Sequence, residues 1–156
     1  MPVVVRATDL LADADVVWAR VTTPAGVNDE LRPWLRMTVP RAWRHRSIAD
    51  VAPGEHVGRS WILLLGVVPF DADDLTIAEI GGRHFVERSP LLSAASWQHE
   101  RTVTPREHGC RIEDRLTFEP RALTARIPGG SRLHTAVVRA IFRHRHRRLV
   151  SSFGAG

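Results

Sequence analysis

The chain has 156 residues and a net charge of +5, and all 22 of its basic residues are arginine. Its composition, 44% hydrophobic and 25% charged residues, is typical of one folded domain with a buried core. We therefore expect a single domain over residues 1–156 and no membrane-spanning segment. The N-terminus lacks the pattern of a secretion signal, which favours a cytoplasmic protein. The single cysteine, Cys110, excludes an internal disulfide and is expected to be an inert packing residue.

The N-terminal part of the chain predicts a strand, two short helices and a second strand. Residues 3–8 are rich in valine and predict the first strand. A helix over residues 14–22 is expected to end at a Pro-Ala-Gly break, and a second helical turn is expected over residues 28–31. Residues 35–39 predict another strand. Residues 41–46 show neither helical nor strand periodicity and predict an exposed, mobile loop.

The middle of the chain predicts a series of antiparallel strands. Residues 57–68 are strand-like and apolar on both faces around Trp61, as expected of a strand near a cavity. The acidic residues 71–74 predict a solvated turn, because they lack the further ligands of a calcium loop. Residues 75–89 predict a hairpin around a Gly-Gly turn, and residues 95–118 predict a second hairpin.

A long C-terminal helix is expected to organise the fold. Ser131 follows two glycines and predicts its N-cap, and Gly154 predicts its end. Its apolar face is formed by Val138, Phe142, Leu149 and Phe153, with Arg139, Arg143, Arg147 and Ser151 directed away from it. An apolar face requires a partner, and a sheet wrapped over the helix is the expected one.

Polar residues on this helix offer two possibilities for chemistry. Arg145 interrupts the apolar face, where it could reach an anionic or carbonyl group of a ligand or could extend its charged head to water. His144 and His146 are separated by about 200° around the helix, at about 100° per residue, so they cannot hold one metal ion together. We expect neither a metal nor a cofactor.

At the level of whole segments the chain resembles the helix-grip fold of the START-like (SRPBCC) superfamily, which includes polyketide cyclases, aromatases and lipid-transfer proteins. The segments that carry the resemblance are residues 15–21 (DVVWARV), 26–31 (GVNDEL), 68–75 (VPFDADDL) and 142–149 (FRHRHRRL). The resemblance implies an α+β protein with a curved antiparallel sheet of about seven strands, wrapped around the C-terminal helix, and two short helices after strand 1. It also implies an apolar cavity between sheet and helix, but no universal catalytic motif.

The last hairpin supplies the candidate site. If Val103 faces Ile112, strand alternation places Arg101 opposite Asp114, His99 opposite Leu116 and Trp97 opposite Phe118, all on one face. Arg101 and Asp114 either satisfy only each other or also contact a ligand. The predicted cavity wall consists of Trp61, Trp97, His99, Arg101, Asp114, Leu116, Phe118, Val138, Phe142, Arg145 and Leu149.

Three functions fit these features. The favoured one is a carrier or sensor that binds a hydrophobic small molecule, such as a lipid or a polyketide-like or other aromatic compound. The alternative is a cyclase- or dehydratase-like enzyme that uses the polar cavity residues, His99 foremost, as acid and base. A minor alternative is nucleic-acid attachment through the basic helix and residues 41–46. We expect no specific nucleic-acid partner, because such charge runs are usually solvated faces. Oligomeric state, ligand identity and catalysis stay open.

Overall fold

The computed structural model describes residues 1–156 and has the α+β helix-grip architecture expected from the sequence. The strands are β1 (Val3–Leu10), β2 (Leu35–Met37), β3 (Glu55–Leu64), β4 (Val68–Gly81), β5 (His84–Ser89), β6 (Ala94–Pro105) and β7 (Cys110–Pro120). The helices are α1 (Ala14–Val21), α2 (Pro24–Leu31), α3 (Ala122–Arg126) and α4 (Gly130–Phe153), with short 3₁₀ turns at Arg41–Trp43 and Ile48–Asp50.

All seven strands form one antiparallel sheet in the order β1-β7-β6-β5-β4-β3-β2. The first strand, β1, therefore pairs with the last strand, β7. Bulges interrupt the β3–β4 ladder, one of them at Gly58, whose φ of +122° is accessible to glycine but not to other residues. Bulges bend strands, so they help to curl the sheet over α4.

The register predicted for the last hairpin is confirmed. Val103 pairs with Ile112, which sets Arg101 opposite Asp114, His99 opposite Leu116 and Trp97 opposite Phe118. The positions that point toward α4 are buried, and Ile112, Asp114, Leu116 and Phe118 are all fully inaccessible. Period-two alternation along β6 and β7 was therefore a sufficient guide to the inner face.

Helix α4 packs its predicted apolar face onto the sheet at two places. Leu149 joins an apolar cluster with Val103 and Ile112, and Phe142 joins a second cluster with Leu116 and Phe118. Arg139, Arg143, Arg147 and Ser151 are exposed, as the helical phase predicts. The N-cap is Gly129 in a left-handed conformation, so the prediction of Ser131 was wrong, whereas the end at Gly154 is confirmed.

The Pro-Ala-Gly segment, predicted to be a break between helices, is the start of the second helix. Helix α2 begins at Pro24, and not at residue 28, because proline is well tolerated in the first helical turn, where its missing N–H costs no hydrogen bond. Thr23 caps the helix, its hydroxyl accepting from the Gly26 N–H at 3.0 Å. The Pro-Ala-Gly segment is thus a helix start.

Two expectations for the β2–β4 region were also wrong. The strand predicted over residues 57–68 is two strands, β3 and β4, separated by a turn in which Leu65 has a positive φ. The segment 41–46 is not a fully exposed loop. Its Trp43 is buried against Val51, Leu75 and Ile77, because one large aromatic side chain is enough to attach a short turn to the core.

Candidate functional site

A cavity of about 280 Å³ lies between the inner face of the sheet and helix α4. Twenty-four residues line it, and 16 of them are hydrophobic. Six of the predicted wall residues are among them: Trp97, His99, Arg101, Val138, Phe142 and Arg145. The sheet, through β6, and the long helix therefore both contribute to the wall as expected.

The other predicted wall residues lie elsewhere. Asp114 is fully buried behind the wall, where it binds Arg101 and His99. Leu116, Phe118 and Leu149 belong to the apolar clusters that attach α4 to the sheet. Trp61 is 41% exposed and does not line the cavity. Its neighbour Ile62 does, because successive strand residues point to opposite faces and the prediction chose the wrong one.

The first polar feature is a buried ion cluster that we call the arginine network: Glu30, Arg101, Asp114, Arg145 and His146. Arg101 donates to Glu30 through both terminal nitrogens, at 2.7 and 2.9 Å, and to Asp114 through Nε and Nη2, both at 2.7 Å. Arg145 Nε donates to Glu30 Oε2 at 2.8 Å. Two arginines thus face two carboxylates, and these four charges balance.

Asp114 is saturated with hydrogen bonds. Its Oδ1 accepts from Arg101 Nε and His99 Nε2, and its Oδ2 accepts from Arg101 Nη2 and His146 Nε2, at 2.7–2.8 Å. Burial alone would raise the pKa of Asp114, but the Arg101 charge and these bonds hold that pKa well below its usual range. This geometry favours the structural alternative for the Arg101–Asp114 pair: the two satisfy each other.

Glu30 is the network member that sequence reasoning missed. It lies on α2, yet it is only 3% exposed because Arg101 and Arg145 both reach it. Burial would raise its pKa, but the two arginines lower it. Arg145 therefore does not extend to water. Its guanidinium carbon lies 4.8 Å above the Phe142 ring, beside the cavity.

The second polar feature, which we call the acid pair, consists of Asp73 on β4 and Glu87 on β5. Both side chains line the cavity and are nearly inaccessible, at 5% and 7% exposure. The Glu87 carboxyl lies close enough to Asp73 to shift its pKa. Burial, together with the neighbouring Glu87 charge, raises the pKa of Asp73 to about 10. Asp73 therefore holds a proton at neutral pH.

The acid pair overturns the prediction of a solvated acidic turn at residues 71–74. These residues lie inside β4, where Asp71 and Asp73 are buried and Asp74, with an exposed side chain, binds His56. The signal that could have found them is alternation: positions 71, 73, 75 and 77 all point inward, and the last two are Leu75 and Ile77. The pattern was missed because three aspartates close together in a sequence usually indicate a solvent-exposed turn.

His99 stands between the two features. Its Nε2 donates to Asp114, and its Nδ1 lies 3.6 Å from Glu87 Oε2. Burial would lower the pKa of His99, but its hydrogen bonds to Asp114 and Glu87 raise it. The ring also packs edge-on against Phe85 and Phe142. The raised pKa favours the charged form of His99, which lies between the structural carboxylate of Asp114 and the cavity carboxyl of Glu87.

A surface groove of about 440 Å³ adjoins the cavity. The two share Leu31, Leu35, Phe70, Val137 and Ile141, and the groove continues outward past Trp34 and Leu64. An apolar molecule therefore has an apolar approach from solvent to the cavity, between α4 and the start of β4.

Two further groups considered in the sequence, Cys110 and the histidines of α4, have surroundings that indicate structural roles. Cys110 is fully inaccessible within an apolar cluster, and burial raises its pKa, so its thiol is a poor nucleophile. The histidines of α4 are separated as predicted, since His146 binds Asp114 and His144 lies near the Arg32 carbonyl.

No group of three or more histidine, cysteine, aspartate or glutamate side chains is arranged to hold a metal ion. None of the helices combines the length and apolar character needed to span a bilayer.

Solved structures share this fold across nearly the whole chain. A protein from Chromobacterium violaceum aligns over 100% of both chains with a TM-score of 0.70 and 14% identity. A START superfamily protein from Mycobacterium smegmatis aligns over 97% of this chain and 96% of its own, with a TM-score of 0.66 and 9% identity. An aromatase/cyclase from Streptomyces aligns over 97% and 92%, with a TM-score of 0.66 and 15% identity. Likeness at such identities shows the fold alone, which is START-like.

No curated protein matches the sequence. A family model described as "Domain of unknown function (DUF8410)" matches residues 8–153. The chain therefore belongs to the DUF8410 family, on a START-like helix-grip fold.

Proposed function

We propose that the protein binds an apolar small molecule in the cavity between sheet and helix, as a carrier or sensor. The observation that carries this proposal is the cavity itself, about 280 Å³ in volume and lined mainly by hydrophobic side chains. Ligand sites are typically concave and apolar, with a few polar groups that fix orientation. Burying an apolar ligand there stabilises the complex by about 25 cal/mol per Å² of apolar surface removed from water.

The groove gives the same proposal a route of entry. Eight of its 11 lining residues are hydrophobic, and it continues into the cavity through residues such as Phe70 and Ile141; Arg143 and Arg147 of α4 also line the groove. The START superfamily and aromatase/cyclase names of two structural neighbours agree with a small-molecule site.

A cyclase- or dehydratase-like enzyme is the second candidate, and the acid pair is what favours it. Asp73 holds a proton beside the cavity, and Glu87 faces His99, whose pKa is raised. Such an arrangement could donate a proton to a bound carbonyl and accept one elsewhere. Turnover of a bound polyketide-like substrate, abolished in a folded Glu87→Gln variant, would favour the enzyme over the carrier.

The binding proposal is tested with a cavity-filling variant. Ile141→Trp adds a large ring at a half-buried wall position of α4, and Ala136→Trp adds the same ring at an exposed position of the same helix. Using 1-octanol as the probe in isothermal titration calorimetry, we expect binding to the wild type and to Ala136→Trp. We expect at least a tenfold loss in Ile141→Trp. Absence of octanol binding to the wild type, or equal binding to both variants, would overturn the proposal.

A further inference from the structure

The acid pair holds two buried carboxyl oxygens at the cavity wall that have no hydrogen-bond donor. Asp73 Oδ1 and Glu87 Oε1 are both buried, and neither has a hydrogen-bond partner. Buried carboxyl oxygens without donors are costly, and in native structures they call for a specific explanation. Both side chains line the cavity, so rotation of either carboxyl group can turn its unpartnered oxygen toward a ligand held there.

The protein itself offers these oxygens no cation beyond His99. Arg101 is engaged by Glu30 and Asp114, and Arg145 by Glu30. A third carboxyl, Asp71, also lines the cavity, where it accepts hydrogen bonds from the Ser93 N–H and hydroxyl. This part of the wall is therefore rich in acceptors and lacks arginine.

The groups that face the pair come from four elements. Asp71 lies on the same strand as Asp73, Glu87 lies on β5, and His99 of β6 approaches Glu87. His134 of α4 faces Asp71, and burial lowers the pKa of this histidine, which keeps its ring neutral at pH 7. Of these groups only His99 can contribute positive charge at pH 7, and it is already paired with Asp114.

We propose that the acid pair is the polar subsite of the cavity and that it takes a primary amine, in its ammonium form, at the end of an apolar ligand. An ammonium group has three donors and a full positive charge, so it can satisfy both unpartnered oxygens and replace the missing cation. A hydroxyl donates only once and carries no charge. A carboxylate ligand would bring a further negative charge beside the Glu87 carboxyl and has no hydrogen to donate to the unpartnered oxygens.

Binding an ammonium in this way displaces the proton that Asp73 holds. The ligand enters as the cation, the Asp73 carboxyl becomes a carboxylate that accepts from it, and the released proton passes to the buffer. The apolar body of the ligand then lies along the hydrophobic wall toward Phe142 and Ile141.

This inference rests on the proposed binding function, and a matched ligand series separates the two. Octylamine, 1-octanol and nonanoate share one alkyl chain and differ only in the head group that it carries. We expect the wild type to bind octylamine at least tenfold more tightly than octanol, and nonanoate most weakly, by calorimetry at pH 7. Octanol binding without an amine preference would overturn the amine subsite and leave the cavity proposal intact; no octanol binding would remove both.

Variants locate the preference on the acid pair. Asp73→Asn and Glu87→Gln should each reduce the amine-to-octanol affinity ratio to about threefold or less. Asp74→Asn, the adjacent position whose side chain is exposed and binds His56, should keep the wild-type ratio. Calorimetry of octylamine in two buffers of different ionisation enthalpy should also show net proton release with the wild type. A preference that survives both substitutions, or binding without proton release, would contradict the assignment.

Discussion

The arginine network and the acid pair lie on either side of His99 at the inner face of the sheet, yet their hydrogen bonding is opposite. In the network, two arginines and two carboxylates meet in the protein's interior, and Asp114 alone accepts four hydrogen bonds. In the acid pair, two carboxyls meet with no arginine, and one oxygen of each has no partner. His99 touches both clusters.

The difference separates structure from function in this fold. A buried charge with complete hydrogen bonding joins the elements that supply it, here α2, β6, β7 and α4. A buried acid with an unpartnered oxygen is costly in the free protein, and such groups are often found at functional sites. The network is accordingly part of the scaffold, and the pair is the group that we propose faces a ligand.

Breaking the network should have the largest effect. Arg101→Met leaves Glu30 with only Arg145, and leaves Asp114 with only its two histidines, inside the protein. Removing one partner of a buried ion cluster costs about 3–5 kcal/mol, because the remaining charge cannot reach water. We expect a loss of this size in the free energy of unfolding by urea at pH 7, or a chain that no longer folds.

Arg88→Met is the matched control. Arg88 lies on β5, and its ion pair with Glu79 is solvent-exposed, with both side chains more than half accessible. Exposed pairs contribute at most about 1 kcal/mol, so this variant should unfold close to the wild type. Similar stability losses for the two substitutions would mean that the buried cluster is not what stabilises the fold.

The acid pair should have a smaller effect with a characteristic pH dependence. Asp73 has a pKa of about 10 in the folded protein and an ordinary value, about 3.9, in the unfolded chain. Between these values the folded state holds one more proton, so stability falls as pH rises, by up to about 1.4 kcal/mol per pH unit. The raised pKa of His99 acts in the same direction above about pH 6.5.

Stability should therefore decrease from pH 6.5 to pH 8 in the wild type, as measured by urea unfolding in matched buffers. This window lies above the ranges in which Glu30, Asp114 and His134, whose pKa values are lowered, contribute a pH dependence of the opposite sign. Asp73→Asn should flatten most of the slope and be neutral or stabilising at pH 8, whereas Asp74→Asn should retain it. A rising slope, or one unchanged in Asp73→Asn, would count against a protonated pair.

The features that could be predicted from the sequence were the inner face of one hairpin and the phase of one helix. The inner face of β6 and β7, with Arg101 opposite Asp114, followed from period-two alternation within one hairpin. The phase of α4 followed from its helical period. Both are local patterns, and local patterns are readable from one sequence.

What escaped prediction depended on contacts between distant segments. Glu30 and Arg101 are 71 residues apart, and nothing near Glu30 marks it as buried. Trp61 was assigned to the wrong face because a run of apolar residues does not show which alternate positions of the strand point inward. Asp73 was misread because charged residues usually lie in water, and only the inward-facing Leu75 and Ile77 on the same strand indicate otherwise.

One measurement compares both clusters directly: a pH titration of the carboxyl carbons of Asp73 and Asp114 by carbon-13 NMR. We predict that Asp114 stays ionised throughout the folded range and that Asp73 stays protonated at neutral pH, titrating near pH 10. Saturating octylamine at pH 7 should then ionise Asp73 and leave Asp114 unchanged. An Asp73 that titrates near its ordinary value of about 3.9, or one that octylamine does not affect, would contradict the account.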